Sequence, residues 1–345
     1  MSEYRVGILG GNGFVGGELY RLLSAHPQFR VEFVSSESKA GTAVEKMHKA
    51  FLYRKVNPKL TYAKLSELDG QYDCIFSALP TGVLPQHLAH VLQHTERIFN
   101  VSGDYRFTDN NVLERYYPKS LATITQANSH YFIPELSEVN AKATVVNLPG
   151  CMAVASIYAI YPLVLHSLIE GHVFIDAKTG SSGAGKSSSE THADRVNNFR
   201  LHKGFEHRHV PEIARIAHTY SSDALDVSFA AFSLDIARGI FVSAYSVLKQ
   251  GVEESDVKKA FFQAYRAKPF IRYSGHAAPG PMLKTVHGTN YAEVGFVVQE
   301  GKCLSLVAID NLLKGAAGQA IQAANIYYGI PETTGLITEH EGIWP

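Results

Sequence analysis

The sequence predicts an α/β protein whose first half is a doubly wound parallel sheet and whose second half is a separate domain. Three observations carry that expectation. Strand-like and helix-like segments alternate through residue 147. The first of them runs strand, glycine turn, amphipathic helix, in YRVGIL, GGNGFVGG and ELYRLLSAH. The 345 residues, 46% hydrophobic and 19% charged, also suffice to bury two cores. The predicted division is 1–147, then 148–310, then a C-terminal helix and tail over 311–345 that packs back on the first domain.

Charge and cysteine usage narrow the function. Lys plus Arg total 32, as do Asp plus Glu, and the pI is near 7.3. Such a chain has no global field for DNA, RNA or an anionic membrane, so neither nucleic acid nor membrane is an expected partner. Cys74, Cys151 and Cys303 are too few and too scattered for a disulfide framework or a four-cysteine metal site. Neither CxxC nor HExxH occurs, and no metal is expected. Glu3 and Arg5 precede only a short apolar stretch, unlike a secretory signal, so a cytoplasmic location is expected. Small-molecule chemistry remains.

Taken in order, the glycines at 10, 13 and 16 have distinct uses. Gly10 permits a tight turn, Gly13 lets the backbone approach a pyrophosphate at the helix start, and Gly16 lets helix and strand close. This is a Rossmann-type dinucleotide site, with Gly11 and Asn12 inside the same turn. A second strand, RVEFVSS (30–36), ends in Ser35, Ser36, Glu37, Ser38 and Lys39. The serines and the lysine suit a 2′-phosphate and hence NADP(H), whereas Glu37 favours NAD unless it faces solvent. YDCIFSALP (72–80) and RIFNVSGDYRF (97–107) read as two more buried strands, with Cys74 a small core residue. His87, His90 and His94 share a helix face that reads as solvated rather than metal-binding. Residues 143–169 lack Asp, Glu, Lys and Arg, yet Pro149, Gly150 and Pro162 interrupt them. They read as a buried strand, a turn and a buried helix instead of a membrane span.

That turn carries the chemistry. Cys151 begins the apolar helix after Pro149-Gly150, where the positive helix end favours a thiolate. A buried inert cysteine is the plain alternative, but core packing does not call for Pro-Gly-Cys at a strand-to-helix corner. The proton-handling partner comes from GFEHRHVPE (204–212), in which His207 and His209 flank Arg208 and Glu212 orients one of them. If extended, the two histidines point to opposite sides, so one of them reaches the cysteine. From Lys186 to His209 the chain also gathers Arg195, Arg200, Lys203, Arg208, His192 and His202 against Glu190, Asp194 and Glu206, a segment suited to an anion. Gly180 to Ser187 spells GxxxxGKS, but no Walker-B strand accompanies it, so it reads as flexible backbone lining a pocket. AIDNLLKGAAGQAIQAANIYYG (308–329) reads as a helix of small residues, with Asn311 meeting the cofactor amide or capping the helix.

Together GGNGFVGGE, VSGDYRF, LPGC, GSSGAGKS, HRHVPE, GTNYAEVGF and AIDNLLKGAAGQA resemble, from end to end, the N-acetyl-gamma-glutamyl-phosphate reductases of arginine biosynthesis. Close relatives of that family reduce aminoadipyl phosphate on a carrier protein in lysine biosynthesis. The resemblance implies an NADP(H)-binding Rossmann domain and an α+β catalytic and dimerisation domain of the glyceraldehyde-phosphate and semialdehyde dehydrogenase type. It implies a homodimer or homotetramer. It also implies Cys151 as nucleophile, His209 ahead of His207 as acid/base, and Arg106 near the substrate phosphate. Gly10, Gly11, Asn12 and Gly13 then hold the pyrophosphate, Ser35 and Ser36 lie at the adenosine end, and Asn311 lies at the nicotinamide end. Departures fall at Met152-Ala153-Val154, where an aromatic and Ala-Thr are usual, at Gly103 for alanine, and at Asn100 for aspartate.

The expected reaction is NADPH-dependent reduction of N-acetyl-gamma-glutamyl phosphate to the semialdehyde and phosphate through a cysteine thioester. A substrate carried on an acidic protein, aminoadipyl or glutamyl phosphate, is the nearest alternative. A non-catalytic NADP-sensing regulator is the alternative of another class.

Overall fold

The computed structural model describes residues 3–47, 60–120, 128–186, 192–221, 225–275 and 280–336. Ser187 and Glu190 of the basic segment lie outside them, as do the side chain of His192 and the tail from 337. The chain divides into two compact units, Met1–Pro149 with Ala316–Thr338, and Gly150–Gly315.

The first unit holds a six-stranded parallel sheet. Its strands are β1 (Tyr4–Leu9), β2 (Phe29–Val34), β3 (Cys74–Ser77), β4 (Ile98–Asn100), β5 (Ser129–Tyr131) and β6 (Val145–Asn147), in the order β2-β1-β3-β4-β6-β5. β1 from Val6 onward and all of β3, β4 and β6 are buried, as expected of parallel strands covered on both faces. The order reverses between β1 and β3, and open α/β sheets take ligands beyond the carboxyl ends of such a pair. Helix α1 (Phe14–Leu23) follows β1 directly, and α2 (Leu84–Val91) and α3 (Asn110–Tyr116) follow β3 and β4. The strand expected over 97–107 is only three residues long. From Ser102 the chain turns to make a buried polar knot, in which Asp104 accepts from Gly82 N and from the Ser102 hydroxyl. The helix expected at the three histidines stops at Val91, and His94 pairs with the Gly70 carbonyl instead.

The second unit is built on α4 (Cys151–Leu165) and a seven-stranded mixed sheet. Its strands are β7 (Ile169–Thr179), β8 (Arg200–Gly204), β9 (Asp226–Ser233), β10 (Ile240–Leu248), β11 (Ile271–Tyr273), β12 (Ala292–Gln299) and β13 (Lys302–Ile309). They run in the order β11-β12-β13-β10-β7-β9-β8. α4 crosses β7, β10, β12 and β13, and packs beside α5 (Val210–Tyr220) and α6 (Glu254–Tyr265). Along β7, Val173, Ile175 and Ala177 are buried while Phe174 between them is 55% exposed. Tyr245, opposite Phe174, is exposed too, as are Val247, Val297, Phe199 and Leu201. One face of this sheet therefore carries an apolar stripe that is exposed in the single chain.

The C-terminal helix differs from expectation at both of its ends. Ala308 and Ile309 belong to β13, a π turn spans Leu313–Ala317, and α7 itself is Gly318–Tyr327. The chain returns to the first unit at Ala316, not at 311. The Asp310 side chain explains the later crossing, because it binds Gly288 N and Arg238 and so ties the turn to the second unit. Within the first unit α7 packs on α1 and β4. Asn325 there meets His26, and Gln322 donates to Glu135 and Glu332. No helix among the described residues is long and apolar enough to cross a membrane.

The closeness of α1 to its turn has a direct test. A β-carbon on Gly16 would lie 2.3 Å from the Gly10 carbonyl oxygen, whereas one on Gly13 meets nothing nearer than 3.5 Å. Gly16→Ala should cost about 1–3 kcal/mol in urea unfolding. Gly13→Ala should cost under about 1 kcal/mol, the scale of a changed cap.

Candidate active site

Gly150 is the N-cap of α4 and Cys151 its first residue. The helix beyond is buried on every side from Met152 to Ile160, so its start cannot shift without moving the core. Cys151 alone at this corner retains some exposure. Cys74 and Cys303 are buried, and burial raises both thiols, Cys303 to about 11. Three neighbours fix the corner. The His209 ring lies against Gly150, with Nε2 2.2 Å from where a β-carbon would sit. The buried Glu212 carboxylate accepts a hydrogen bond from Gly150 N at 3.0 Å. Gly315 approaches so closely that its own β-carbon would stand 2.7 Å from that of Cys151.

His209 and Glu212 share the start of α5, with His209 as N-cap and Pro211 in the first turn. Residues 207–209 are not extended. Val210 N donates to the His207 carbonyl and His209 N donates to His207 Nδ1 at 3.1 Å, which closes a turn. The two rings therefore sit side by side, centroids 4.5 Å apart, where an extended chain would have opposed them. Their roles divide. His207 Nδ1 is an acceptor, and burial, with Arg208, His202 and Lys203 adding to it, pushes the group down to about 3. His207 is thus a neutral buttress, and His209 is the imidazole at the cysteine corner. Glu212, expected to orient a histidine, holds the backbone of the corner through Gly150 N. Arg208 projects its side chain to the surface between the two buried histidines.

The loops beside Gly315 correct one further expectation and keep another, the rejection of GxxxxGKS as a phosphate loop. Asn311 does not cap the turn; Asp310 does, accepting from Leu312 N and Leu313 N. Asn311 joins two loops, accepting from Gly239 N at 2.7 Å and donating to Ser182 Oγ at 2.9 Å. The GxxxxGKS segment is a short 3₁₀ turn at Ser181–Ala184, not a strand-to-helix phosphate loop. Its first amides are spent on loop 236–239, since Gly180, Ser181 and Ser182 N donate to Gly239, Ile236 and Ala237 carbonyls.

In the first unit Gly10 adopts φ +79°, as a tight turn requires. Ser35, expected at the adenosine end, is buried beneath that turn. Its hydroxyl accepts from Gly10 N at 3.1 Å and its carbonyl from Gly11 N at 2.9 Å. Ser36 is also buried, and Ser38 is exposed. Glu37 Oε1 accepts from Leu65 N at 2.9 Å, which engages the one carboxylate that argued for NAD. α1 begins at Gly13 with no side-chain cap and no acidic residue in its first turn. Such a helix end, open at Gly13, fits a dinucleotide pyrophosphate. Arg106 is buried in this unit, where its guanidinium donates to the Val101 carbonyl. Two of the three departures from the family pattern, Asn100 and Gly103, have local causes. The amide of Asn100 donates to Asp104 O and Asn147 Oδ1, which an aspartate could not do, and the Tyr117 ring fills the space of a β-carbon at Gly103.

Sequence reasoning passed over Gly150, Asp310 and Gly315 as parts of the site. Their signal was present, in a glycine next to the cysteine and an aspartate opening a glycine-bearing turn, but the partners are distant in sequence. Among the described residues no group of three or more His, Cys, Asp or Glu side chains is placed to hold a metal.

The neutral His207 generates a pH prediction. Its proton affinity is lower folded than unfolded, so its contribution is complete above pH 6.5 and is lost as pH falls toward 3. The wild type should lose about 2–3 kcal/mol from this group between pH 7 and pH 4.5. His207→Asn, which keeps an acceptor near Nδ1, should show a flatter profile when urea unfolding is followed at both pH values.

Known proteins resemble this chain along its length. Residues 5–144 match the family model "Semialdehyde dehydrogenase, NAD binding domain", and 151–311 match "Semialdehyde dehydrogenase, dimerisation domain". The N-acetyl-gamma-glutamyl-phosphate reductase 1 of Lactiplantibacillus plantarum is 54% identical over 99% of this chain and all of its own. The corresponding reductase of Bacillus anthracis is 34% identical, covering 96% of this chain and 98% of its own. A putative [LysW]-L-2-aminoadipate/[LysW]-L-glutamate phosphate reductase of Nitrosopumilus maritimus is 33% identical, covering 96% and 97%. The fold is that of solved aspartate semialdehyde dehydrogenases. The Candida albicans enzyme, solved with NADP, aligns with a TM-score of 0.70 at 16% identity over 95% of this chain and 99% of its own. With the cysteine corner, the glycine turn and this end-to-end identity in hand, the chain belongs to the N-acetyl-gamma-glutamyl-phosphate reductase family of oxidoreductases.

Proposed function

We propose that this protein reduces N-acetyl-gamma-glutamyl phosphate to N-acetylglutamate semialdehyde and phosphate, with NADPH as reductant and Cys151 as nucleophile. The observation that carries the reading is the corner at which Cys151 opens α4 with the His209 ring against the preceding residue. The first-turn amides of α1 with Gly10–Gly13 would hold the pyrophosphate, and Ser36, Ser38 and Lys39 the 2′-phosphate end. Bound NADPH would supply the hydride that takes the acyl carbon to the aldehyde level.

The protein's own contribution follows from the corner. Cys151 Sγ attacks the acyl carbon, and the bond to phosphate breaks to leave a thioester. Departing phosphate calls for a cation, for which the exposed Arg208 of the histidine turn is the candidate. Asn311 keeps a second amide hydrogen beyond its bond to Ser182 and is the candidate for the nicotinamide end. His209 Nε2 hands a proton to the carbonyl oxygen as charge develops there, and recovers it when the thiohemiacetal collapses to aldehyde and thiolate. A thioester accepts hydride far more readily than a carboxylate, which is why a thiol and a nicotinamide belong in one enzyme. A cytoplasmic location goes with this reading.

The carrier-linked reading keeps the chemistry and changes the handle on the substrate. It draws on the 33% relative and on the exposed His202, Lys203 and Arg208 around β8. The 54% identity to an N-acetyl-gamma-glutamyl-phosphate reductase favours the free acetylated substrate.

The exposed apolar stripe of the seven-stranded sheet supports a homodimer. Phe174, Tyr245, Leu304 and Val297 are aligned across β7, β10, β13 and β12 by strand register. An apolar stripe of that extent suits a second copy of the same face.

Two tests follow. Cys151→Ser should bind NADPH with unchanged affinity by fluorescence titration, while NADPH-dependent reduction falls at least about 1000-fold. His209→Asn should lower kcat roughly 100- to 10,000-fold. Full activity in Cys151→Ser would end the assignment, and phosphate-dependent NADP reduction by N-acetylglutamate semialdehyde should report the same losses in reverse. Phe174→Asp should shift the sedimentation coefficient from that of a dimer or larger assembly to that of a monomer.

A further inference from the structure

We propose that Asp310, acting with Arg238 and Gly315, is the positioning system for Cys151. The inference rests on Cys151 being the nucleophile. Asp310 is completely buried at the end of β13. Its Oδ1 accepts from Leu312 N at 2.8 Å, from Leu313 N at 3.1 Å and from Arg238 Nη2 at 3.0 Å. Its Oδ2 accepts from Gly288 N at 2.8 Å, and its carbonyl from Gly315 N at 3.0 Å. One side chain thus binds the 310–315 turn to the loop between β9 and β10 and to the loop before β12.

The turn so fixed ends at Gly315, and Gly315 meets the cysteine. With 2.7 Å between a β-carbon there and that of Cys151, the Gly315 backbone forms a wall on one side of the nucleophile. Gly150, under the His209 ring, forms the adjoining side. Sγ is thereby confined to a narrow range of directions, and a reacting atom displaced by about 1 Å can lose 10²-fold in rate. A helix cap needs only the contacts to Leu312 and Leu313. The Arg238 and Gly288 contacts are what lock the turn against the rest of the unit.

The test uses full-length protein. kcat and KM are measured for acyl-phosphate reduction, and the rate of Cys151 alkylation by iodoacetamide is followed against pH by mass spectrometry. Arg238→Ala, whose residue lies at the rim with Asp310 left in place, should lower kcat roughly 10-fold with KM changed less than about twofold. Arg238→Lys, still able to donate to Oδ1, should recover most of the loss. Asp310→Asn should lower kcat roughly 10- to 100-fold. Both impaired variants should show a displaced alkylation profile. Variants that retain kcat within about twofold, or lose it only with folded fraction while the profile stays put, overturn the proposal. Wild-type Cys151 that is slow to alkylate and unprotected by substrate overturns the nucleophile reading as well, whereas rapid, substrate-protected alkylation with inert variants overturns the positioning alone.

Discussion

The cysteine corner depends on one steric fact: two glycines stand where no side chain fits, one under the His209 ring and one against the β-carbon of Cys151. The rest of the second unit is arranged to keep those approaches close. α4 is buried from Met152 to Ile160, so Gly150 cannot retreat. Glu212 holds the Gly150 amide from the start of α5, in the positive field at the amino end of α4. A hydrogen bond to a charged group of this kind contributes about 1.5–3 kcal/mol, and removing the carboxylate would also leave Gly150 N unsatisfied. The helix that begins at His209 is therefore the helix that fixes the corner of Cys151.

The first unit solves its own problem by the same means. Gly16 lets α1 close on the Gly10 carbonyl, and Gly10 takes a backbone conformation that a side chain would strain. Ser35 then spends its hydroxyl and its carbonyl on Gly10 and Gly11. The turn is held from below, and the first amides of α1 remain for an anion. Glu37 likewise serves the protein, tying strand β2 to the segment at Leu65. Side chains that look like ligand contacts in the sequence are in part the framework that holds the ligand-binding backbone.

The seven-stranded sheet separates two duties. Its helix-covered face is buried and carries α4 with the cysteine, so rigidity there becomes precision at Sγ. Its other face places Phe174 beside Tyr245 and carries Val247 and Val297 into solvent in the single chain. Burying that face against a second copy would stiffen the strands on which α4 rests, linking assembly to the placement of Cys151.

The sequence by itself determined the parallel sheet, the glycine turn, the cysteine at a helix start and the histidine pair, because each is written in local periodicity or in neighbouring residues. It also carried enough motifs in order for the family to be recognised. Only the tertiary structure decided which histidine lies against Gly150, that Glu212 grips a backbone amide, that Ser35 turns inward while Glu37 accepts from Leu65 N, and that Asp310 rather than Asn311 is the cap. The histidine turn shows why. His207 and His209 are two residues apart, and their division of labour comes from one side chain accepting the other's amide, a conformation that spacing alone cannot specify. Glu212 and Gly150 are 62 residues apart, and Arg238 and Asp310 are 72 apart. Contacts at such separations are set by how sheets and helices pack, and it is packing that chose a role for each polar side chain.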